Sequence, residues 1–109
     1  MMTIAELIRD SWQTAEDKGW HALKKTFPED IALIHSELSE ALEEFRNGHA
    51  PNEQYAKDGK PEGVPSELAD VLIRICDISH THGIDLERAL EDKAAYNKTR
   101  PHLHGGKKL

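Results

Sequence analysis

Two short acidic patterns carry the most legible chemistry in this chain. Glu37-Leu38-Ser39-Glu40 and Glu67-Leu68-Ala69-Asp70 each set two carboxylates three residues apart. On a helix that spacing turns both toward one face. Glu44, one turn beyond Glu40, falls on the same face. If the two helices pack antiparallel, the pairs converge. Carboxylates crowded in a partly dry site either take up protons or recruit cations. Oxygen donors with no Cys or His in the spacing suit Mg²⁺ or Mn²⁺. Such ions hold phosphate oxygens and acidify an attacking water. Taken singly, each pair also fits an ordinary solvated helix face.

A basic set follows. Lys93, Asn97 and Arg100 share one helix face. Lys93 and Arg100 can meet phosphates while Asn97 offers an amide or carbonyl to a metal–phosphate centre. The helix dipole alone also favours cations near a C-terminus. Trp20 and His21, just past Gly19, are candidate contacts to a nucleobase, the indole by stacking. Trp12 lies on an apolar stripe and reads as packing. The histidines lack zinc spacing, and no GxxxxGK[ST] phosphate loop is present.

Four stretches of helical periodicity must position these groups. The first runs from about Ile4 to Lys18, with Thr3 and Glu6 as a capping box and Gly19 as a stop. The second runs from about Pro28 to Arg46, after a Thr26/Glu29 box. Its apolar stripe is Ile31, Ile34, Leu38, Ala41, Leu42 and Phe45, and the acids border it. The third, from about Pro65 to Thr81, is apolar over more than half its circumference, which predicts a central helix that also faces a partner subunit. The fourth runs from Asp85 to about Thr99, and Pro101 stops it. Between the second and third lies a polar, glycine- and proline-punctuated stretch from Asn47 to Gly63, read as a long loop. No strand alternation of useful length is present. The fold expected is all-α, a four-to-five-helix bundle over residues 1–101. A polar tail over 102–109 could close over phosphates through Lys107 and Lys108.

Bulk properties bound the alternatives. At 109 residues the chain is one domain. A net charge of −6 argues against a nucleic acid polymer as partner. No apolar run is long enough to span a membrane. One cysteine, Cys76, excludes an internal disulfide framework and fits a reducing, cytoplasmic setting.

The run Ile34-His35-Ser36-Glu37-Leu38-Ser39-Glu40-Ala41-Leu42-Glu43-Glu44, then Glu67-Leu68-Ala69-Asp70-Val71, resembles the MazG-like family of all-alpha nucleotide pyrophosphohydrolases. The likeness extends through Lys93-Ala94-Ala95-Tyr96-Asn97 and Arg100-Pro101. It implies Mg²⁺ held by Glu37, Glu40, Glu67 and Asp70, assisted by Asn97, with Mn²⁺ able to substitute. Lys93 and Arg100 would bind phosphate. It implies cleavage of a nucleoside triphosphate between the α and β phosphates, to a monophosphate and pyrophosphate, in nucleotide-pool sanitation or control. It also implies a homodimer, or a homotetramer built from dimers, with sites near subunit boundaries. A carboxylate of the cluster would orient or deprotonate the water; Glu40 leads, with Glu37 or Glu44 as substitutes.

Two other classes compete. A di-iron carboxylate bundle needs Glu-x-x-His pairs, and this chain has Glu67-x-x-Asp70. A non-catalytic helical oligomeric interaction module would account for the apolar third helix and leave both acid pairs accidental.

Overall fold

The computed structural model describes residues 2–101. The tail expected to close over phosphates therefore lies outside the described residues. Four helices and one hairpin follow in order: α1 (Ile4–Asp17), a 3-10 turn (Trp20–Ala22), α2 (Phe27–Arg46), β1 (Gln54–Lys57), β2 (Lys60–Gly63), α3 (Val64–Thr81) and α4 (Leu86–Lys98).

The helix ends are set locally. Thr3 accepts the Glu6 N–H at the start of α1, and Thr26 with Glu29 forms a reciprocal capping box at α2. Asp85 caps α4 by accepting the Arg88 N–H at 3.1 Å. Helix α3 ends in a Schellman turn: Gly83 is left-handed, and the Ile84 N–H reaches back to the Ser79 carbonyl at 2.8 Å. The sequence-expected spans agree with these helices to within a residue or two at each end.

The stretch read as a loop is not structureless. Residues 54–57 pair antiparallel with 60–63, Tyr55 opposite Glu62. The connection is Asp58-Gly59, both at positive φ (53° and 80°), the geometry that a two-residue hairpin turn demands. The strands are four residues long and polar, so they show no alternation of apolar residues. Gly63 joins β2 to α3 at φ 111°. A Cβ there would collide with the Glu53 carbonyl oxygen, so only glycine fits the junction.

Helix α3 is central and packs against both α1 and α2. The α2–α3 pair is antiparallel: Asp30 approaches His82, Glu37 meets Arg74, and Glu44 clusters with Glu67. The buried apolar groups are small or medium (Ala15, Ala41, Cys76 and Ile78), joined by Ser11 and Ser79. Among the described residues, no large side chain is fully enclosed.

The α2 stripe does not face this core, contrary to the sequence expectation. Ala41 is buried, but Leu42 is 59% and Phe45 56% exposed. Glu37, at 9%, turns inward instead. The acids border the stripe, and α3 packs on their side of α2. By helical rotation and the antiparallel register, Leu38, Leu42 and Phe45 of α2 lie on the same outer side as Leu68 and Leu72 of α3. All five are exposed.

Helix α4 projects from the other three. Every residue from Arg88 to Arg100 is exposed. Among the described residues, the polar contacts of its side chains stay within the helix and its caps. The Cα radius of gyration is 16.4 Å, against about 13 Å for a compact chain of this size.

Candidate metal centre

The antiparallel register of α2 and α3 brings the two acid pairs together. Glu37, Glu67 and Asp70 each offer a carboxylate oxygen, and these lie within 4.8 Å of one another. Glu67 and Asp70 sit one turn apart on α3, and Glu37 reaches them from the inward face of α2. Glu67 is shared with a second group, since Glu44, Glu62 and Glu67 also offer oxygens within 4.8 Å. Glu40 is exposed; with Glu43, Glu44 and Asn47 it borders a small hollow closed on the other side by Glu67.

The electrostatics follow from this crowding. Burial, then contact with Glu40 and Glu37 and the charges of Glu40 and Asp70, pushes the Glu67 carboxyl up to about 7. Its Oε2 is buried and has no hydrogen-bond partner. Ionised carboxylates have no proton to donate to one another, so Glu67 can be satisfied by a shared proton or by a cation. Asp70 is raised by burial and by the Glu37 charge, with Arg74 and Lys60 pulling the other way. The donor set of hard oxygens, one of them buried and unpaired, fits a divalent cation of the Mg²⁺ type.

Arg74 stands between the cluster and a larger cavity. Its Nε donates to Glu37 Oε1 at 2.8 Å. The cavity, about 620 Å³, runs from Glu37, Asp70 and Arg74 across to Lys25 and the aromatic Trp20. That volume falls within the range of small-molecule sites. His21 also lines it, but both ring nitrogens are engaged: Nδ1 is 2.7 Å from Glu16 Oε2, and Nε2 is 2.7 Å from Asp77 Oδ1. Burial disfavours the charged ring, yet the two carboxylates outweigh it and hold the His21 pKa above 6.5. His21 therefore ties the 3-10 turn to α3, with its edge nitrogens unavailable to a base.

Trp20, the candidate base contact, lines the cavity. Lys93, Asn97 and Arg100 are not brought to the acids, because α4 stands apart. The hairpin adds residues that the sequence reading did not single out. Glu62 joins the second acidic group. Tyr55 donates to Glu44, 3.2 Å from Oε1 and 3.0 Å from Oε2. His49 stacks on Tyr55, with centroids 4.6 Å apart and planes 17° apart. The Asp-Gly turn signal could have located the hairpin, but nothing in the sequence aims Tyr55 and Glu62 at α2. Arg74 and Asp77 follow Asp70 at helical spacings of four and seven on α3, and were missed because their partners come from other elements.

Comparison of the chain with protein-family models, with curated proteins and with solved structures finds no match.

Proposed function

We propose that this chain is a Mg²⁺-dependent nucleoside triphosphate pyrophosphohydrolase that cleaves between the α and β phosphates. One observation carries the reading: carboxylates from two helices converge around the buried, unpaired Glu67 Oε2, at the edge of a cavity of nucleotide-compatible size. Glu37, Glu67 and Asp70 would hold the cation, with Glu40 within reach of Glu67. Bound Mg²⁺ would supply charge neutralisation for the phosphates and lower the pKa of a water. Trp20 offers a face on which a base can stack. Arg74 donates to Glu37 beside the cavity, and its guanidinium carries further N–H donors that an anion could use.

The same reading needs a second copy. An exposed apolar band along α2 and α3 (Leu38, Leu42, Phe45, Leu68, Leu72) is the kind of surface an obligate homodimer buries. Helix α4, unpacked on its own protomer, is free to carry Lys93, Asn97 and Arg100 to phosphates bound by a partner. A homodimer or a dimer of dimers satisfies both features. Among the described residues, no helix is long and apolar enough to cross a membrane; a cytoplasmic setting is part of the proposal.

A panel of canonical and modified nucleoside triphosphates, with products identified by mass, tests the activity. Monophosphate and pyrophosphate are expected; diphosphate and phosphate would contradict the cleavage position. The apolar band also favours a second reading, a non-catalytic oligomeric interaction module. Calorimetric titration with Mg²⁺ and a nonhydrolysable triphosphate separates the two, since the module would give no metal-dependent binding.

A further inference from the structure

The pyrophosphohydrolase reading leaves open which carboxylate contacts the attacking water, and the hairpin bears on that choice. Glu40 is exposed, and its contact is with another acid, Glu67. Glu37 has Oε1 engaged by Arg74. Glu44 alone among the three is held by a neutral donor: the Tyr55 hydroxyl lies 3.2 Å from Oε1 and 3.0 Å from Oε2. The Tyr55 ring is itself fixed. His49 stacks on it, and the His49 Nδ1 is 2.8 Å from Glu53 Oε2. The His49 Nε2 stands 3.6 Å from Glu44 Oε2 on the same side. The strand register sets Glu62 opposite Tyr55, so one hairpin delivers both the donor to Glu44 and a third acid beside Glu44 and Glu67.

We propose that Tyr55 is a positioning residue that holds Glu44 as the water-orienting carboxylate of this site, with His49 and Glu53 bracing the tyrosine ring. The proposal rests on the pyrophosphohydrolase reading and deepens it. A free glutamate samples many rotamers, whereas a catalytic carboxylate must be held to within about half an ångström. The arrangement of a carboxylate fixed by an orienting hydrogen bond, itself braced by a further contact, is the geometry expected of a functional acid–base group. The hairpin is then part of the reaction centre rather than a connector.

The test is steady-state kinetics on Tyr55→Phe, Glu44→Gln and the double variant, with thermal melting as a fold control. Tyr55→Phe keeps the ring and its stack on His49. It is expected to lower kcat about tenfold while KM for the Mg²⁺–triphosphate stays within about twofold. The double variant is expected to be no slower than Glu44→Gln alone, because Tyr55 acts through Glu44. Unchanged kcat in Tyr55→Phe, or a loss that multiplies in full on top of Glu44→Gln, would overturn the proposal. A wild type without turnover ends the pyrophosphohydrolase reading separately. Mn²⁺ affinity, read by calorimetry, then decides the positioning role: at least a threefold weakening in Tyr55→Phe supports it. Equal affinity, or no Mn²⁺ binding by the wild type, overturns it.

Discussion

Replacing Glu67 by Gln should make the protein less sensitive to pH. The Glu67 proton dissociates at about 7 in the folded chain, against 4.5 for an unperturbed glutamate. A folded state that holds a proton more tightly than the unfolded state is favoured at low pH. That contribution is complete below 4.5 and is lost as pH rises through about 7. At roughly 1.4 kcal/mol per pH unit the full loss is about 3 kcal/mol. Glu67 is half-buried, and solvent screening reduces this to about 2 kcal/mol. For a domain this small, that corresponds to a change in Tm of about 10 °C. Gln mimics the protonated acid at every pH. Thermal melts by circular dichroism, without divalent ions, should therefore place the variant level with wild type near pH 4.5 and well above it by about pH 8. Saturating Mg²⁺ should close the gap by stabilising the ionised wild-type cluster. Parallel melting temperatures across the whole range would refute the claim that carboxylate crowding raises Glu67.

Other consequences can be checked independently. Asp70→Asn should weaken Mg²⁺ binding at least about tenfold by calorimetry, since it removes the negative charge of one of three converging carboxylates. Gly63→Ala should destabilise the chain by about 2–3 kcal/mol in urea titration, because its φ of 111° and the nearby Glu53 carbonyl leave no room for a Cβ. Asp77→Asn should lower the His21 pKa, measured by NMR titration, as it removes one of the two acids that hold the ring charged. The stability linked to His21 is present below 6.5 and fades as pH rises through its raised pKa, so that variant should lose most in mild acid. Leu42→Glu should shift the assembly toward monomer in sedimentation velocity by placing a charge in the exposed apolar band.

The helices were legible because their ends are written in local chemistry. Thr26 with Glu29, Asp85, and Gly83 before Ile84 each satisfy backbone groups within a few residues. The convergence of Glu37 with Glu67 and Asp70 was legible for a similar reason: the spacing of three fixes a face, and the acid pairs meet once α2 and α3 lie antiparallel. The hairpin was not legible from hydrophobic pattern because its strands are polar and brief. Its signal lay in Asp58-Gly59 alone. Nor could the sequence tell which flank of α2 would meet α3. Leu38, Leu42 and Phe45 gave the stronger apolar signal, yet the acidic flank won inside the protomer. Periodicity marks a face as apolar without saying whether its cover comes from the same chain. For the same reason, the placement of Lys93, Asn97 and Arg100 relative to the acids depends on how α4 docks, which helical spacing does not encode.

The modest side chains where the helices meet have one more implication. Ala41, buried on α2, acts as a thin spacer, so the gap separating one acidic helix from the other is set in part by a methyl group away from the carboxylate oxygens. Lengthening such a spacer would wedge the helices apart and widen the nest of oxygens without altering a single ligand. On the proposed metal-binding reading, the preference between a small ion and a larger one is thus adjustable from the back of the site. A chain of this type could drift in metal choice through mutations that look like simple packing changes.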